Sequence, residues 1–489
     1  MKKYLILSLF CTFFNGQING QENRPNFIIF IADDVSWNDF ACYGNKDVQT
    51  PNIDKLASDG IKFTNVYLTA SSCSPSRNSI ITGRYPHNTG AAELHSEPPI
   101  TMISFPEILR DDEYYTVQAG KFHMGKYAKR GFDVSYDDKD NGGHFGTEIN
   151  GDGGEKKWLK SVKERPLDKP FFMWFAAHDA HRKWGPNEFS GTHKSNEITA
   201  PLYLANGDIT KRDLAKYYDE IKRFDYHIGE VIKELEIQQA LDNTIIIVMA
   251  DNGRPFPHSK TRVNDRGMKT PFIIHWANKI KKSDTCNSLI SAIDIAPTIM
   301  KLARVEVSEQ FQGHSFHKLL TNPKLNFRNY VFAEHNWHDY EAHERMVRNK
   351  NYLYILNSRP MFPQNGPADA IGSPAFKELV KLRDNGKLST IQADIFVAPR
   401  PYEELYDCNR DSLQTLNVSS MPEYGETLFE LRNILDEWMK ETGDNIPENL
   451  TQDWYLKKPG LVRTKLHNIR GEMPGRVLNA TQNNNKGRF

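Results

Sequence analysis

Residues 25–34 read PNFIIFIADD, and this stretch decides the fold. From Phe27 to Ala32 every residue is apolar, and the run stops on two aspartates. A strand with one wet face would alternate apolar and polar side chains; an unbroken run is what a strand covered on both faces requires. Phe171–Ala177, Thr244–Ala250 and Pro271–Trp276 repeat this character. Helix-compatible segments lie among them, at Asn52–Asp59, Ser76–Thr82, Phe105–Asp111 and Lys211–Gln238. Strands alternating with helices predict an α/β fold, a large, mostly parallel central sheet flanked by helices.

The character changes after about residue 345. Arg348–Leu356 (RNKNYLYIL) reads as strands of a second sheet and Thr427–Thr442 as an amphipathic helix, which predicts a smaller C-terminal α+β subdomain. Gly, Asn and Asp crowd residues 131–155, a long surface insertion, and the last dozen residues, rich in Asn, Lys and Arg, read as a loose tail. The first twenty residues place Lys2 and Lys3 before an apolar run, Tyr4–Phe14, and then small and polar residues, the layout of a secretory signal peptide. The expected organisation is a signal peptide at 1–20, a catalytic α/β domain at 21–345, the smaller subdomain at 346–470 and a flexible tail at 471–489. Secretion or a periplasmic location follows as an expectation, and no apolar run has the length of a membrane span. Cys11 follows Phe10, whereas a lipid-anchoring cysteine follows a small residue, which argues against lipidation.

Lys plus Arg and Asp plus Glu both number 62 in 489 residues, so the chain lacks the basic excess of a nucleic-acid binder. Any anion site must be built locally. Cys42, Cys73, Cys286 and Cys408 are scattered without CxxC spacing, and no disulfide framework is expected.

Candidate chemistry sits where strands end. Asn26–Ala32 runs into Asp33-Asp34, Thr244–Ala250 into Asp251-Asn252-Gly253, and Phe171–Ala177 into His178-Asp179-Ala180-His181. In open α/β sheets ligands bind at the carboxyl edge of the strands. Three aspartates and an asparagine offer only oxygen ligands, which suits a hard divalent cation, Ca²⁺ or Mg²⁺, better than zinc. A single Asp after a strand is more often a turn or cap; two acidic pairs on different strands weaken that reading. In Cys73-Ser74-Pro75-Ser76-Arg77, Pro75 suits the first helical position, Ser74 the N-cap and Gly83 the stop. Cys73 then lies just before a helix N-terminus, where negative charge is favoured. Arg77, one turn in, is placed to neutralise a sulfate or to help hold the nucleophile.

CSPSR followed by TGR resembles the signature of the formylglycine-dependent (type I) sulfatases of the alkaline-phosphatase-like superfamily, in which C-x-P-S-R marks the cysteine for oxidation. PNFIIFIADD, TPNIDKLASDGIKFTNVY, GKFHMGK, VMADNG, SAIDIAPTIMKLA and EELYD resemble other family segments in the same order, so the likeness spans about residues 25–410. It implies that Asp33, Asp34, Asp251 and Asn252 bind Ca²⁺ together with Cys73, and that a formylglycine-generating enzyme converts Cys73. It also implies attack by the hydrated aldehyde on sulfur, expulsion of the alcohol, and release of sulfate as the aldehyde re-forms. Lys121, His123, His181 and Lys260 match the remaining catalytic positions. The lysines would neutralise sulfate oxygens. His181 or Lys260 would protonate the leaving oxygen, and His123 would assist deprotonation of the diol.

HDAHR (178–182) and DNGRPFPHSK (251–260) resemble the sulfamidase-like branch, whereas RVNDRGMKTP departs from the common E-G-G-x-R-x-P that follows. Asp179, Arg182, His258, His335, His338 and Asp339 are the candidates for substrate contact. The expected substrate is a sulfated polysaccharide or its oligosaccharides, an ulvan-type algal glycan among the options. The alternatives are an N-sulfoglucosamine-type sulfamidase, a formylglycine-dependent phosphodiesterase or phosphonate hydrolase, and an inactive glycan-binding protein.

Overall fold

The computed structural model describes residues 24–136, 154–453 and 470–489; the expected signal segment 1–20 and residues 137–153 of the expected insertion lie outside them. The main sheet contains β1 (Asn26–Ala32), β2 (Ile61–Tyr67), β3 (Tyr115–Gly120), β4 (Val134–Tyr136), β5 (Phe171–Ala176), β6 (Thr244–Ala250), β7 (Lys269–Trp276), β8 (Asp284–Cys286) and β9 (Ile290–Ser291). Its order is β4-β3-β5-β1-β6-β7-β2-β8, with β9 also on β2. β1 is central and parallel to both neighbours, Ile29 facing Trp174 on one side and Ile247 on the other. β7 is antiparallel to β6 and to β2, which makes the sheet mixed.

Two-sided burial explains the unbroken apolar runs. Ile29 and Ile31 of β1 join Trp174 and Ile247 in the core on one face, while Ile28 and Phe30 join Met173, Phe175, Ile246 and Val248 on the other. Successive side chains point to opposite faces, and each such buried side chain contributes roughly 1.5–3 kcal/mol. The second face is covered by the helix Asp208–Ile237, through Leu214, Tyr217, Ile221, Phe224, Ile228, Val231 and Leu235. This helix starts three residues earlier than its pattern predicts. Glu378 accepts from the Thr210 backbone N–H at 2.9 Å and so satisfies one of the free donors of the first turn.

A second, antiparallel sheet holds β10 (Val331–His335), β11 (Glu344–Arg348), β12 (Tyr352–Asn357) and β13 (Glu403–Asp407) in that order. β10 begins at Val331, so the second sheet starts before the boundary expected at 345. Val331, Ala333, Met346 and Leu353 pack into the main core, whereas Phe332, Val347 and Tyr354 face the C-terminal helix Gly425–Thr442. Trp438 of that helix stacks on Phe332 with ring centroids 4.9 Å apart.

The C-terminal residues, expected to be a loose tail, are tied in. Arg84 donates to Asn484 Oδ1 at 2.7 Å and to the Asn483 carbonyl at 2.8 Å, and Asn88 donates to the Ala480 carbonyl at 2.8 Å. Composition misses this because the partner is remote: the buried Arg84 guanidinium bonds only uncharged acceptors, and burial pushes it down to about 10. Cys42, Cys73, Cys286 and Cys408 are free thiols. Among the described residues no helix is long and apolar enough to cross a membrane.

Candidate active site

Parallel pairing in the order β5-β1-β6 brings three polar strand ends together. The backbone locks them. Asp33 N–H donates to the Asp179 carbonyl at 2.7 Å, and Ala180 N–H to the Asp33 carbonyl at 2.6 Å. Asp251 N–H donates to the Ala32 carbonyl at 3.1 Å. Asp34 turns through a left-handed conformation (φ 60°), uncommon for a residue with a Cβ, and its N–H donates to Asp251 Oδ1 at 3.1 Å.

Opposite these carboxylates lies the helix Cys73–Thr82, buried along its whole length. Cys73 is its first residue and Ser72 its N-cap, two residues earlier than Pro75 and Ser74 predict. Ser74 is drawn away: its hydroxyl accepts from the His95 backbone N–H at 2.9 Å. Gly83 ends the helix in the left-handed region (φ 61°). Cys73 Sγ lies 3.6 Å from Asp33 Oδ1 and 3.8 Å from Asp34 Oδ1. Burial pushes the thiol well above its usual range, so the unmodified side chain stays protonated and weakly nucleophilic.

Three buried cations complete the centre. Arg77 donates through Nε to Asp251 Oδ2 at 2.8 Å and through Nη1 to the Lys121 carbonyl at 3.1 Å; its guanidinium also pairs with Asp251 at 2.7 Å. Lys121 Nζ pairs with Asp33. Lys260 Nζ lies 2.8 Å from both Asp34 Oδ2 and Asp369 Oδ2. His181 Nε2 stands 3.9 Å from Asp34 and 3.8 Å from Asp369, while its Nδ1 meets the Arg182 carbonyl. His123 Nε2 shares a hydrogen bond of 2.8 Å with His95 Nδ1.

Burial raises every carboxylate here, and the neighbouring charges decide the outcome. Lys121, His181, Arg77 and Lys260 outweigh burial at Asp33 and hold it well below the usual carboxylate range. At Asp34, burial prevails over Lys260, with Asp33, Asp369 and Asp251 adding to it, and pushes the carboxyl up to about 8. Burial, Lys260 and Lys121 push His181 down to about 3. A cluster of this kind fits a divalent cation. Asp33, Asp34 and Cys73 offer ligand atoms within 4.8 Å of one another, and Asn252 Oδ1 is buried with no hydrogen-bond partner among the described residues. An orphaned buried acceptor beside two carboxylates is what an oxygen-ligated ion would satisfy. With all four ionised, Asp33, Asp34, Asp251 and Asp369 exceed Arg77, Lys121 and Lys260 by one negative charge, and a bound cation would hold Asp34 in that ionised form. A divalent cation would turn this into one positive charge, the complement of a sulfate monoester's single negative charge.

The residues expected to touch substrate divide sharply. Asp179 is held by Arg223 at 2.7 and 2.6 Å. Arg182 is forked onto Asp213 at 2.8 Å twice and lies over the rings of Trp184 and Phe256. His258 has a fully buried side chain 3.8 Å from Asp394, and His335 pairs with Glu344 at 3.0 Å. All four side chains are thus engaged with or packed against the protein interior. His338 and Asp339 are also buried but border the site. His338 Nδ1 bonds Ser72 Oγ at 2.8 Å, beside Cys73, and Asp339 Oδ2 accepts from the Ala368 N–H at 2.8 Å. Sequence reasoning missed Asp369 and His95. Nothing local marks either: Asp369 lies in a short helix (Ala368–Ile371) of the C-terminal part, and His95 in a loop with φ 62°.

The sulfatase family profile matches residues 25–305, and that of the N-sulphoglucosamine sulphohydrolase C-terminal region matches residues 258–356. An ulvan-active sulfatase of Formosa agariphila is 30% identical over 481 residues, covering 87% of this chain and 77% of that protein. Human N-sulphoglucosamine sulphohydrolase is 27% identical over 491 residues, covering 91% and 94%. A structure solved with its substrate D-glucosamine-2-N,6-O-disulfate superposes with a TM-score of 0.65 at 21% identity, covering 86% and 98%. The phosphonate monoester hydrolase of Agrobacterium radiobacter superposes with a TM-score of 0.66 at 14% identity, covering 90% and 100%.

Proposed function

Because this chain belongs to the sulfatase family and is a sulfuric ester hydrolase, we propose that it removes sulfate from a sulfated polysaccharide or its oligosaccharides, of the ulvan type. Its nucleophile is Cys73 oxidised to formylglycine by a maturation enzyme, its ion is Ca²⁺, and residues 1–20 export it. The observation that carries the reading is the placement of Cys73 at a buried helix N-terminus, within 4 Å of Asp33 and Asp34 and facing Lys121 and Lys260.

Asp33, Asp34, Asp251 and Asn252 would hold the ion, which supplies positive charge against the sulfate and the attacking oxygen. The hydrated aldehyde at position 73 supplies the attacking hydroxyl where the thiol now lies. The chain's own side chains do the rest. Lys121 and Lys260 are aimed in advance at sulfate oxygens, whose charge shifts as the ester bond breaks. Arg77 acts behind them: with its N–H groups spent on Asp251 and the Lys121 carbonyl, it positions a carboxylate and a lysine. His181 donates through Nδ1 to the Arg182 carbonyl, which leaves Nε2 facing the mouth as an acceptor, and the protonated Lys260 delivers the proton to the leaving oxygen. His123, linked to His95, takes the proton from the second hydroxyl of the hydrate.

A second reading, N-sulfate hydrolysis, is favoured by the match to the sulphohydrolase C-terminal region. The test uses protein co-expressed with a maturation enzyme. A peptide mass lowered by about 18 Da across residue 73 is expected, as an aldehyde nucleophile requires. Sulfate release is then compared on ulvan oligosaccharides, N-sulfoglucosamine and a phosphate diester. An unmodified thiol at full activity would overturn the nucleophile, and preference for the phosphate diester would overturn the reaction class.

A further inference from the structure

Among the described residues, Asp369 is the carboxylate that the part of the chain beyond the main sheet places on Lys260. Its side chain is 17% exposed, whereas those of Asp34 and Lys260 are 0% and 1% exposed. It therefore sits at the mouth. Its placement is well supported: Oδ1 accepts from the Ala370 N–H at 2.7 Å, and Oδ2 accepts from Lys260. The turn that carries it is latched where Asp339 accepts from the Ala368 N–H, and the adjacent His338 is bonded to Ser72 at the nucleophile.

A fixed negative charge at the entrance of an anion site opposes sulfate binding, so charge neutralisation of sulfate does not account for it. A carboxylate does suit hydroxyl or ammonium donors on the sugar ring, which it accepts through its remaining lone pairs. It also repels any second anion brought to the same place, the usual way an interface rejects a wrong partner. We infer that Asp369 is a specificity-determining residue: it selects a ring with hydroxyl or amino groups beside the scissile sulfate and rejects one with a second sulfate or a carboxylate there. This rests on the sulfatase reading for its substrate class.

The experiment compares a monosulfated pyranoside bearing free flanking hydroxyls with its analogue carrying a second sulfate on a flanking carbon. Affinities are measured on Cys73→Ala protein with and without Asp369→Asn, and kcat/KM on oxidised enzyme with and without Asp369→Asn. The monosulfate should be preferred by the Asp369 protein. Asp369→Asn should weaken the monosulfate about tenfold or more and strengthen the disulfate, shifts of opposite sign that no loss of fold produces. An unchanged ratio between the two ligands, or no discrimination in the Asp369 protein itself, overturns the inference. Binding discrimination that shifts as expected in a fully oxidised enzyme that releases no sulfate would sink the sulfatase reading while supporting the role of Asp369.

Discussion

Replacing Lys260 by alanine removes the cation shared by Asp34 and Asp369. Its Nζ lies 2.8 Å from an oxygen of each, and its side chain is 1% exposed. At that distance and an effective dielectric of about 20, each pairing attracts by about 6 kcal/mol. Desolvation of the ammonium offsets most of this, and removing one partner of a buried pair typically costs about 3–5 kcal/mol. Catalysis suffers a loss of similar order: deleting one preorganised group aimed at developing charge costs about 2.7–4 kcal/mol, or about 10²–10³ in kcat. Lys260→Ala should therefore lower kcat by two to three orders of magnitude (roughly 10²–10³) with a smaller change in KM, and Lys260→Arg should recover part of it. The assay is initial rate at saturating substrate on protein whose oxidation at residue 73 has been checked by mass. A kcat within a few-fold of wild type at equal oxidation would refute the placement of Lys260 on the sulfate.

Three further outcomes are expected. Chelation should abolish turnover, with recovery by Ca²⁺ and not by Zn²⁺, because the donors are oxygens; full activity after exhaustive chelation would remove the ion from the reaction. Burial pushes Glu93 up to about 7 from an ordinary 4.5, so the folded chain keeps a proton that the unfolded chain loses across that window. The stability linked to Glu93 is then fully present below pH 4.5 and lost as pH rises through 7. Glu93→Gln should match wild type near pH 4.5 and exceed it by about 3 kcal/mol at pH 8 in denaturant titrations, and equal differences at both pH values would contradict this. Trp438 is fully buried, stacked on Phe332 and edge-on to Tyr85 at 5.0 Å. Trp438→Ala should destabilise the fold by about 3–5 kcal/mol; a loss below about 1 kcal/mol in urea unfolding would mean that the helix does not hold the second sheet.

Much of the candidate site is legible in the sequence because its parts are local. A residue just past an apolar run sits at a strand end, so Asp33, Asp34, Asp251 and Asn252 announce themselves. Cys73 and Arg77 are spaced along one helical turn, and the capping pattern needed only to move from Ser74 to Ser72. The apolar runs likewise defined β1, β5, β6 and β7 because both faces of the sheet are covered, a condition that leaves its mark on every residue of a strand.

What tertiary structure alone decided concerns polar groups whose partners are far along the chain. Asp179, Arg182, His258 and His335 carry the same side chains as ligand-binding residues, but Arg223, Asp213, Asp394 and Glu344 engage or border them first. Asp369 entered the site only because the second sheet packs on the main core and Asp339 latches its turn. The tail is held through Arg84, hundreds of residues earlier, whose buried guanidinium takes acceptors that composition could not foresee. Hydrophobic periodicity is written into neighbouring residues, whereas the pairing of a buried charge depends on which distant segment folding brings to it. That is why the sequence by itself determined the sheet and the strand ends that carry Asp33, Asp34, Asp251 and Asn252, and only the folded chain determined which remote residues meet them.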